Sequence, residues 1–226
     1  TLNYAPTRRV GEALIIIDNI NPLDKGRRAW QYLPGQRRVK VAPDIAYDTP
    51  TPNTAGASNY DDTFMYNGAM DRFDYKLVGK KEMIVPYNTY KFTFEPDIAK
   101  NLAGKQFANP DFFRWELHRV WVVEATLKPG ARHSYAKRTF YVDEDSWMVL
   151  ATDSYDARGQ LYRAAFDAFT PLYDVKGMYT DGTVYYDFVA GIYSIAALPV
   201  KGPFVATELF GEKTWSPDSL SGTGVR

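Results

Sequence analysis

Apolar and polar positions alternate along most of the chain with a period of two, the signature of strands with one buried face. Gly11 to Ile17 reads as a first strand. Arg28 to Leu33 and Arg37 to Val41 flank Pro34-Gly35-Gln36, a Pro-Gly turn that closes an antiparallel hairpin. Lys76 to Val85 and Thr89 to Phe94 are strand-like around Pro86-Tyr87-Asn88, which predicts a second hairpin. The clearest block runs from Trp115 to Phe169. Predicted strands at Leu117 to Leu127, Ser134 to Val142, Trp147 to Tyr155 and Gln160 to Phe169 are separated by turn signals at Lys128-Pro129-Gly130-Ala131, Asp143-Glu144-Asp145 and Asp156-Ala157-Arg158-Gly159, which makes a four-stranded meander. Thr183 to Phe188 and Ile192 to Ile195 extend it.

Helical signals are few. Asp61-Asp62 precedes Thr63 to Met70, where a capping acid followed by Phe64, Met65 and Met70 predicts one or two helical turns. Pro96 to Gly104 predicts a short helix with a glycine stop. Pro43 to Asn59, rich in Pro, Thr, Asn and Ala, reads as a long surface loop, and Ser216 to Arg226 as a polar tail expected to fray. With no internal repeat or linker, the expectation is a single domain over 1–226, with a folded core at about 11–210 and a tail at 211–226.

Ten or so strands rarely stay open and flat, so the sheet is expected to curl into a barrel or half-barrel. The strand from Arg119 to Ala125 carries Trp121, Val123 and Ala125 on one side and Val120, Val122 and Glu124 on the other. Neither side is cleanly polar, which fits coverage on both faces or an apolar concave face with a wall-forming convex one.

Composition narrows the function classes. The 226 residues carry 27 Lys+Arg and 27 Asp+Glu, so no global field draws the chain toward nucleic acid or anionic lipid. The paired basic residues at Arg8-Arg9, Arg27-Arg28, Arg37-Arg38, Lys80-Lys81 and Lys137-Arg138 are interleaved with acids, as on charged strand edges; a local basic rim meeting headgroups or a transporter is the functional alternative. Aromatics make up 15%, more than a packed interior requires, and rings with one polar end suit a sheet surface or a wet-edged cavity. The absence of cysteine removes disulfides, thiolate metal sites and thiol nucleophiles. The longest apolar run, Ala13 to Ile17, is far short of the roughly 20 residues a membrane helix needs. A chain that begins at Thr1 is expected to be a mature or trimmed fragment whose export signal lay upstream.

Candidate chemistry is sparse. His118 and His133 lie on either side of the Lys128 to Ala131 turn, where they read as a histidine pair on a wet hairpin surface rather than as metal ligands. Asp61 and Asp62, with Asp71 and Asp74 nearby, read as helix caps on a solvated loop rather than as an acid/base pair. Ser134 beside His133 has no nucleophile elbow around it, and no phosphate-binding glycine motif is present. No catalytic residue, metal or cofactor is assigned, and a non-enzymatic protein is expected.

Several stretches carry a resemblance. Val120 to Glu124, Tyr135-Ala-Lys-Arg-Thr-Phe-Tyr-Val-Asp-Glu-Asp-Ser-Trp147 and Tyr155-Asp-Ala-Arg-Gly-Gln-Leu-Tyr-Arg163, with the early hairpin Arg28 to Val39, resemble the core hairpins of the bacterial lipoprotein carriers of the localisation-of-lipoprotein system. Met65-Tyr-Asn-Gly-Ala-Met-Asp-Arg-Phe-Asp-Tyr-Lys-Leu-Val-Gly-Lys-Lys-Glu82 with Val85-Pro-Tyr-Asn88 is similar to an uncharacterised family of exported, outer-membrane lipoprotein-sorting-like proteins, and the likeness spans Gly11 to about Phe210. It implies a mainly β fold, a curved antiparallel sheet forming a half-open β-barrel with a few short covering helices, whose hollow receives an acyl chain or similar hydrophobe in the periplasm of a Gram-negative bacterium. It also implies partners among inner-membrane transporters or outer-membrane proteins, and it transfers a fold better than a ligand.

Trp30, Tyr32, Trp121, Val123, Phe140, Val149, Tyr162 and Phe166 are the strand residues expected to line that hollow, with core packing as the alternative for each. Phe64, Met65 and Met70, with the loop from Pro43 to Asn59, are the expected lid. The reading is a periplasmic carrier for a lipid, a lipoprotein acyl chain or another hydrophobic molecule. The alternative is an interaction module that docks a membrane transporter or outer-membrane protein without a small ligand.

Overall fold

The computed structural model describes residues 2–3, 7–43, 45, 47–95, 97–196 and 210–223. The chain, read from its sequence as a single domain, is divided by its contacts into two compact units, 1–46 with 205–226 and 47–204.

The first unit holds a three-stranded antiparallel sheet in the order β1 (Ala13–Ile17), β2 (Arg28–Leu33), β3 (Arg38–Val41). The predicted Pro-Gly hairpin is present: Pro34–Gln36 forms a 3-10 turn, and Arg37, at φ 48, turns left-handed and donates its N–H to the Pro34 carbonyl. Where a fraying tail was expected, residues Pro217–Thr223 form a helix. Pro217 opens it at a position whose N–H no helix needs, and Leu220, 4% exposed, joins Ala13 and Tyr32 in the core of this unit.

The second unit holds a seven-stranded antiparallel sheet built from β4 (Phe73–Pro86), β5 (Trp115–Leu127), β6 (Lys137–Asp143), β7 (Val149–Tyr155), β8 (Leu161–Leu172), β9 (Gly177–Asp187) and β10 (Ile192–Ala196). Every strand pairs with its sequence neighbour, and β4 and β10 lie at the two ends, so the sheet is not a closed barrel. It is nevertheless curled. Val85 of β4 and Phe169 of β8 belong to one apolar cluster with Val120 and Tyr141, although β5, β6 and β7 lie between their strands. The face bearing Val120, Val122 and Tyr141 is therefore the concave one. The opposite face is covered too: Ala125 and Phe140 pack with Phe73, Tyr66 and Tyr75, and Val120 and Ala125, on opposite sides of β5, are both 0% exposed. The question that β5 left open resolves as coverage on both faces.

Two predicted elements are corrected. Thr89 to Phe94 is not a strand: β4 runs unbroken to Pro86 and pairs with β5, and Tyr90–Phe94 is helix α1. Asn88, at φ 52, turns the chain, and the N–H and hydroxyl of Thr89 both donate to the Phe169 carbonyl, so contacts far along the chain override the β propensity of Tyr90, Phe92 and Phe94. The predicted helix over Thr63 to Met70 is also absent. Residues Tyr60–Met65 form 3-10 turns broken at Thr63 (ψ 131) and Phe64 (φ 54), and the cap is Asn59, in a reciprocal box with Asp62. The short helix expected between Pro96 and Gly104 is present as α2 (Ile98–Asn101). Phe92 of α1, fully buried, packs with Leu102, Phe112 and Phe113 over Ala168 and Val184, so short helices cover part of the concave face.

Candidate functional site

An open groove of about 650 Å³ runs along one end of the second unit. Its wall is formed by Tyr87, just past β4, by Asp145, Ser146 and Met148 from the β6–β7 turn, and by Pro171, Leu172, Tyr173, Lys176, Gly177 and Met178 from the β8–β9 hairpin. Three of the five methionines, Met83, Met148 and Met178, pack half-buried against the cluster of Val85, Val120 and Phe169 that backs this end of the sheet. Unbranched thioether side chains adapt to irregular apolar guests, and the volume lies within the roughly 300–1,000 Å³ typical of small-molecule sites.

One carboxylate fixes the shape of this end. Asp143, 0% exposed, accepts hydrogen bonds from the Ser146 N–H (2.9 Å) and hydroxyl (2.7 Å) and from the Tyr87 hydroxyl (3.3 Å), and its Oδ1 lies 3.0 Å from His118 Nδ1. Burial works against its charge, yet the Ser146 bonds and His118 hold it below the usual carboxylate range. The His118 ring stacks on Tyr87 with centroids 4.0 Å apart. The same turn presents Trp147 to solvent at φ 60, a left-handed conformation that an indole side chain rarely adopts.

His118, Asp143 and Asp145 place their ligand atoms within 4.8 Å of one another, a nitrogen–oxygen set of the kind that suits zinc or manganese. Asp143 already accepts the bonds that hold the turn, so the set is explained by structure without an ion.

On the convex face a buried polar network pins the segment before β4 to the sheet. Arg138 of β6, 0% exposed, points Nη1 at Asp61 Oδ2 (3.0 Å) and Nη2 at Asp62 Oδ1 (2.8 Å). His133 Nε2 lies 2.9 Å from Asp61, and its Nδ1 accepts the Tyr135 N–H, which fixes the tautomer with the proton on Nε2. Tyr135 donates its hydroxyl to Asp62, and Arg163 reaches Asp187 (2.9 Å), Asn59 (3.0 Å) and the Gly56 carbonyl (2.7 Å). Asp61 and Asp62, expected as helix caps on a solvated loop, lie instead within the first turn that Asn59 caps, and they are buried. The histidines do not pair on a wet surface: His118 and His133 sit in separate clusters, and the His133 side chain is fully buried.

The residues expected to line one hollow are dispersed. Val123, Phe140 and Val149 share the convex-face cluster; Phe166 packs with Phe113 and Tyr186 under the short helices; Trp121 lies beneath the Lys80 ammonium, and Tyr162 faces Arg163. Trp30 and Tyr32 belong to the first unit. Of the expected lid, Met65 is buried against Ala57, Ala165 and Tyr185, whereas Phe64 and Met70 are exposed. Thr54, Ala57, Ser58 and Asn59, the end of the expected surface loop, are buried as well. None of the eight residues borders the groove described above. A signal for it was present in the Asp143-Glu144-Asp145-Ser146 turn beside Met148, but pattern alone does not show which turns meet.

Residues 1–221 match DUF1329, a family of proteins of unknown function. The chain belongs to the DUF1329 family. It is 42% identical over 227 residues to an uncharacterised protein of Pseudomonas aeruginosa, PA3922, covering 98% of this chain and 49% of that protein, so it spans about half the length of the curated relative it matches. Among solved structures it is similar to an outer-membrane lipoprotein-sorting protein domain of Vibrio parahaemolyticus, described as putative (TM-score 0.59, 14% identity, 97% of this chain and 75% of that one). It is also similar to a DUF1329 family protein of Desulfovibrio piger (TM-score 0.56, 15% identity, 86% and 65%) and to a LolA superfamily protein of Nitrosomonas europaea (TM-score 0.52, 12% identity, 96% and 76%). The fold of this DUF1329 chain is thus LolA-like, as the hairpin resemblance implied. No helix among the described residues is long and apolar enough to cross a membrane.

Proposed function

We propose that the chain is a periplasmic carrier that shelters a hydrophobic small molecule or the acyl chain of a lipid or lipoprotein, and that the groove beside Met148 and Met178 is where it does so. The observation that carries this reading is an adaptable apolar groove of about 650 Å³ on a LolA-like sheet. Each methylene moved from water into such a groove contributes about 0.8 kcal/mol, so affinity grows with chain length without any covalent chemistry. The periplasmic location rests on the likeness to the lipoprotein-sorting and LolA superfamily proteins.

Native mass spectrometry of protein purified from its own host without detergent tests the reading, together with titration of a fluorescent apolar probe. A stoichiometric hydrophobe, with probe binding lost in Met178→Glu, is the expected result. A clean apo mass with no probe uptake overturns it and favours an interaction module that docks a membrane protein.

A further inference from the structure

The ten residues that line the groove include two charged side chains, Asp145 and Lys176. They come from different turns, Asp145 from the one joining β6 to β7 and Lys176 from the one joining β8 to β9, and both are exposed. The nearby Glu144 is already held by Lys80 at 2.5 Å and faces Arg119 at 3.8 Å, whereas neither Asp145 nor Lys176 belongs to an ion pair among the described residues. The groove therefore has an apolar floor of Met148, Leu172 and Met178 and one unneutralised charge of each sign at its edge.

We propose that the groove takes a zwitterionic amphiphile of the phospholipid type, with its chain along the methionine floor, its ammonium at Asp145 and its phosphate at Lys176. The inference rests on the carrier reading above and adds the headgroup class to it. Charge complementarity carries it: an anionic amphiphile would pair Lys176 and meet Asp145 with like charge, a cationic one would do the reverse, and only a head with both signs pairs both. Tyr173, 77% exposed and also lining the groove, offers a ring face to the ammonium.

Isothermal titration with four probes that share a dodecyl chain tests this: dodecylphosphocholine, dodecyl sulfate, dodecyltrimethylammonium and uncharged dodecyl maltoside, each below its micelle concentration. The phosphocholine is expected to bind about threefold to fivefold more tightly than either singly charged probe at low salt, the range that exposed ion pairs supply, with the preference shrinking as salt is raised. Asp145→Asn should move selectivity toward the sulfate and Lys176→Gln toward the ammonium, each affinity being taken relative to that of the same variant for maltoside. Equal affinity for all four probes, or variants with the parent's selectivity, overturns the headgroup assignment and leaves the carrier reading standing. Failure of every probe, maltoside included, overturns the carrier reading and the assignment with it.

Discussion

Arg138 and Asp62 stand 76 residues apart in sequence and meet with Nη2 2.8 Å from Oδ1, while the other terminal nitrogen of the same guanidinium lies 3.0 Å from Asp61. One strand residue thus ties both acids of the 3-10 turn to the convex face. The geometry explains why the segment before β4 is built into the sheet despite its loop-like composition. The pairing also keeps Arg138 charged: burial pulls its pKa down, but Asp62 and Asp61 more than offset that.

Arg138→Met leaves two buried carboxylates without their cation. The expected loss is about 3–5 kcal/mol of unfolding free energy, measured by urea denaturation. Combining it with Asp61→Asn and Asp62→Asn should recover part of that loss, because the uncompensated charge is then removed as well. A melting curve indistinguishable from the parent's would mean that the cluster does not anchor the segment.

Phe140, 5% exposed, packs edge-on against Tyr66 at 5.6 Å between ring centroids and shares a cluster with Phe73 and Ala125. Those contacts fill a core, whereas the sequence placed Phe140 among the lining residues. Phe140→Ala should therefore cost about 3–5 kcal/mol and leave affinity for an apolar probe unchanged at temperatures where the variant is folded. Lost binding at unchanged stability would restore Phe140 to a ligand cavity.

Trp147 is 70% exposed and left-handed at φ 60, in a turn that Asp143 holds through Ser146. An exposed indole gains little from burial, so the backbone cost is not offset there. Trp147→Gly is expected to raise stability by about 1 kcal/mol, read from the denaturation midpoint. A destabilised variant would show that the ring makes contacts that outweigh the strain.

The hairpins were legible because their information is local: Pro34-Gly35 and Asp156-Ala157-Arg158-Gly159 carry their own turn chemistry, and the strands between them alternate. Thr89 to Phe94 was misread for the opposite reason. Its alternating aromatics are strand-like, but the Phe169 carbonyl that captures Thr89 lies 80 residues away. The groove was illegible on the same ground, since Tyr87, Met148 and Met178 meet only after the sheet curls. Facing was half-visible: Val123 and Phe140 do share a face, as alternation allows, yet nothing in the pattern says which face is concave.

A buried acid that pairs with no cation among the described residues gives the fold a pH signature. Asp167 of β8, 1% exposed, accepts a hydrogen bond from the Thr183 hydroxyl on β9. Burial pushes its carboxyl from the ordinary 3.8 up to about 8, although the Thr183 bond works the other way. Because the folded value exceeds the unfolded one, the folded chain binds the extra proton between the two, and stability falls as pH rises through that window. The slope for one such group is about 1.4 kcal/mol per pH unit, present above about pH 4 and exhausted past about pH 8. Asp181, buried among Thr89, Thr93 and Thr170, is shifted in the same direction, so it adds to the fall. Asp143, by contrast, is ionised in both states across that window and contributes no slope. Asp167→Asn keeps an acceptor for Thr183 and removes the titration. Its unfolding free energy, measured between about pH 5 and about pH 8, should therefore decline less steeply than the parent's, with the remaining decline shared by Asp181 and by Asp62, whose carboxyl burial also pushes up against the pull of Arg138. Parallel profiles for the two proteins would mean that Asp167 is already ionised in the fold.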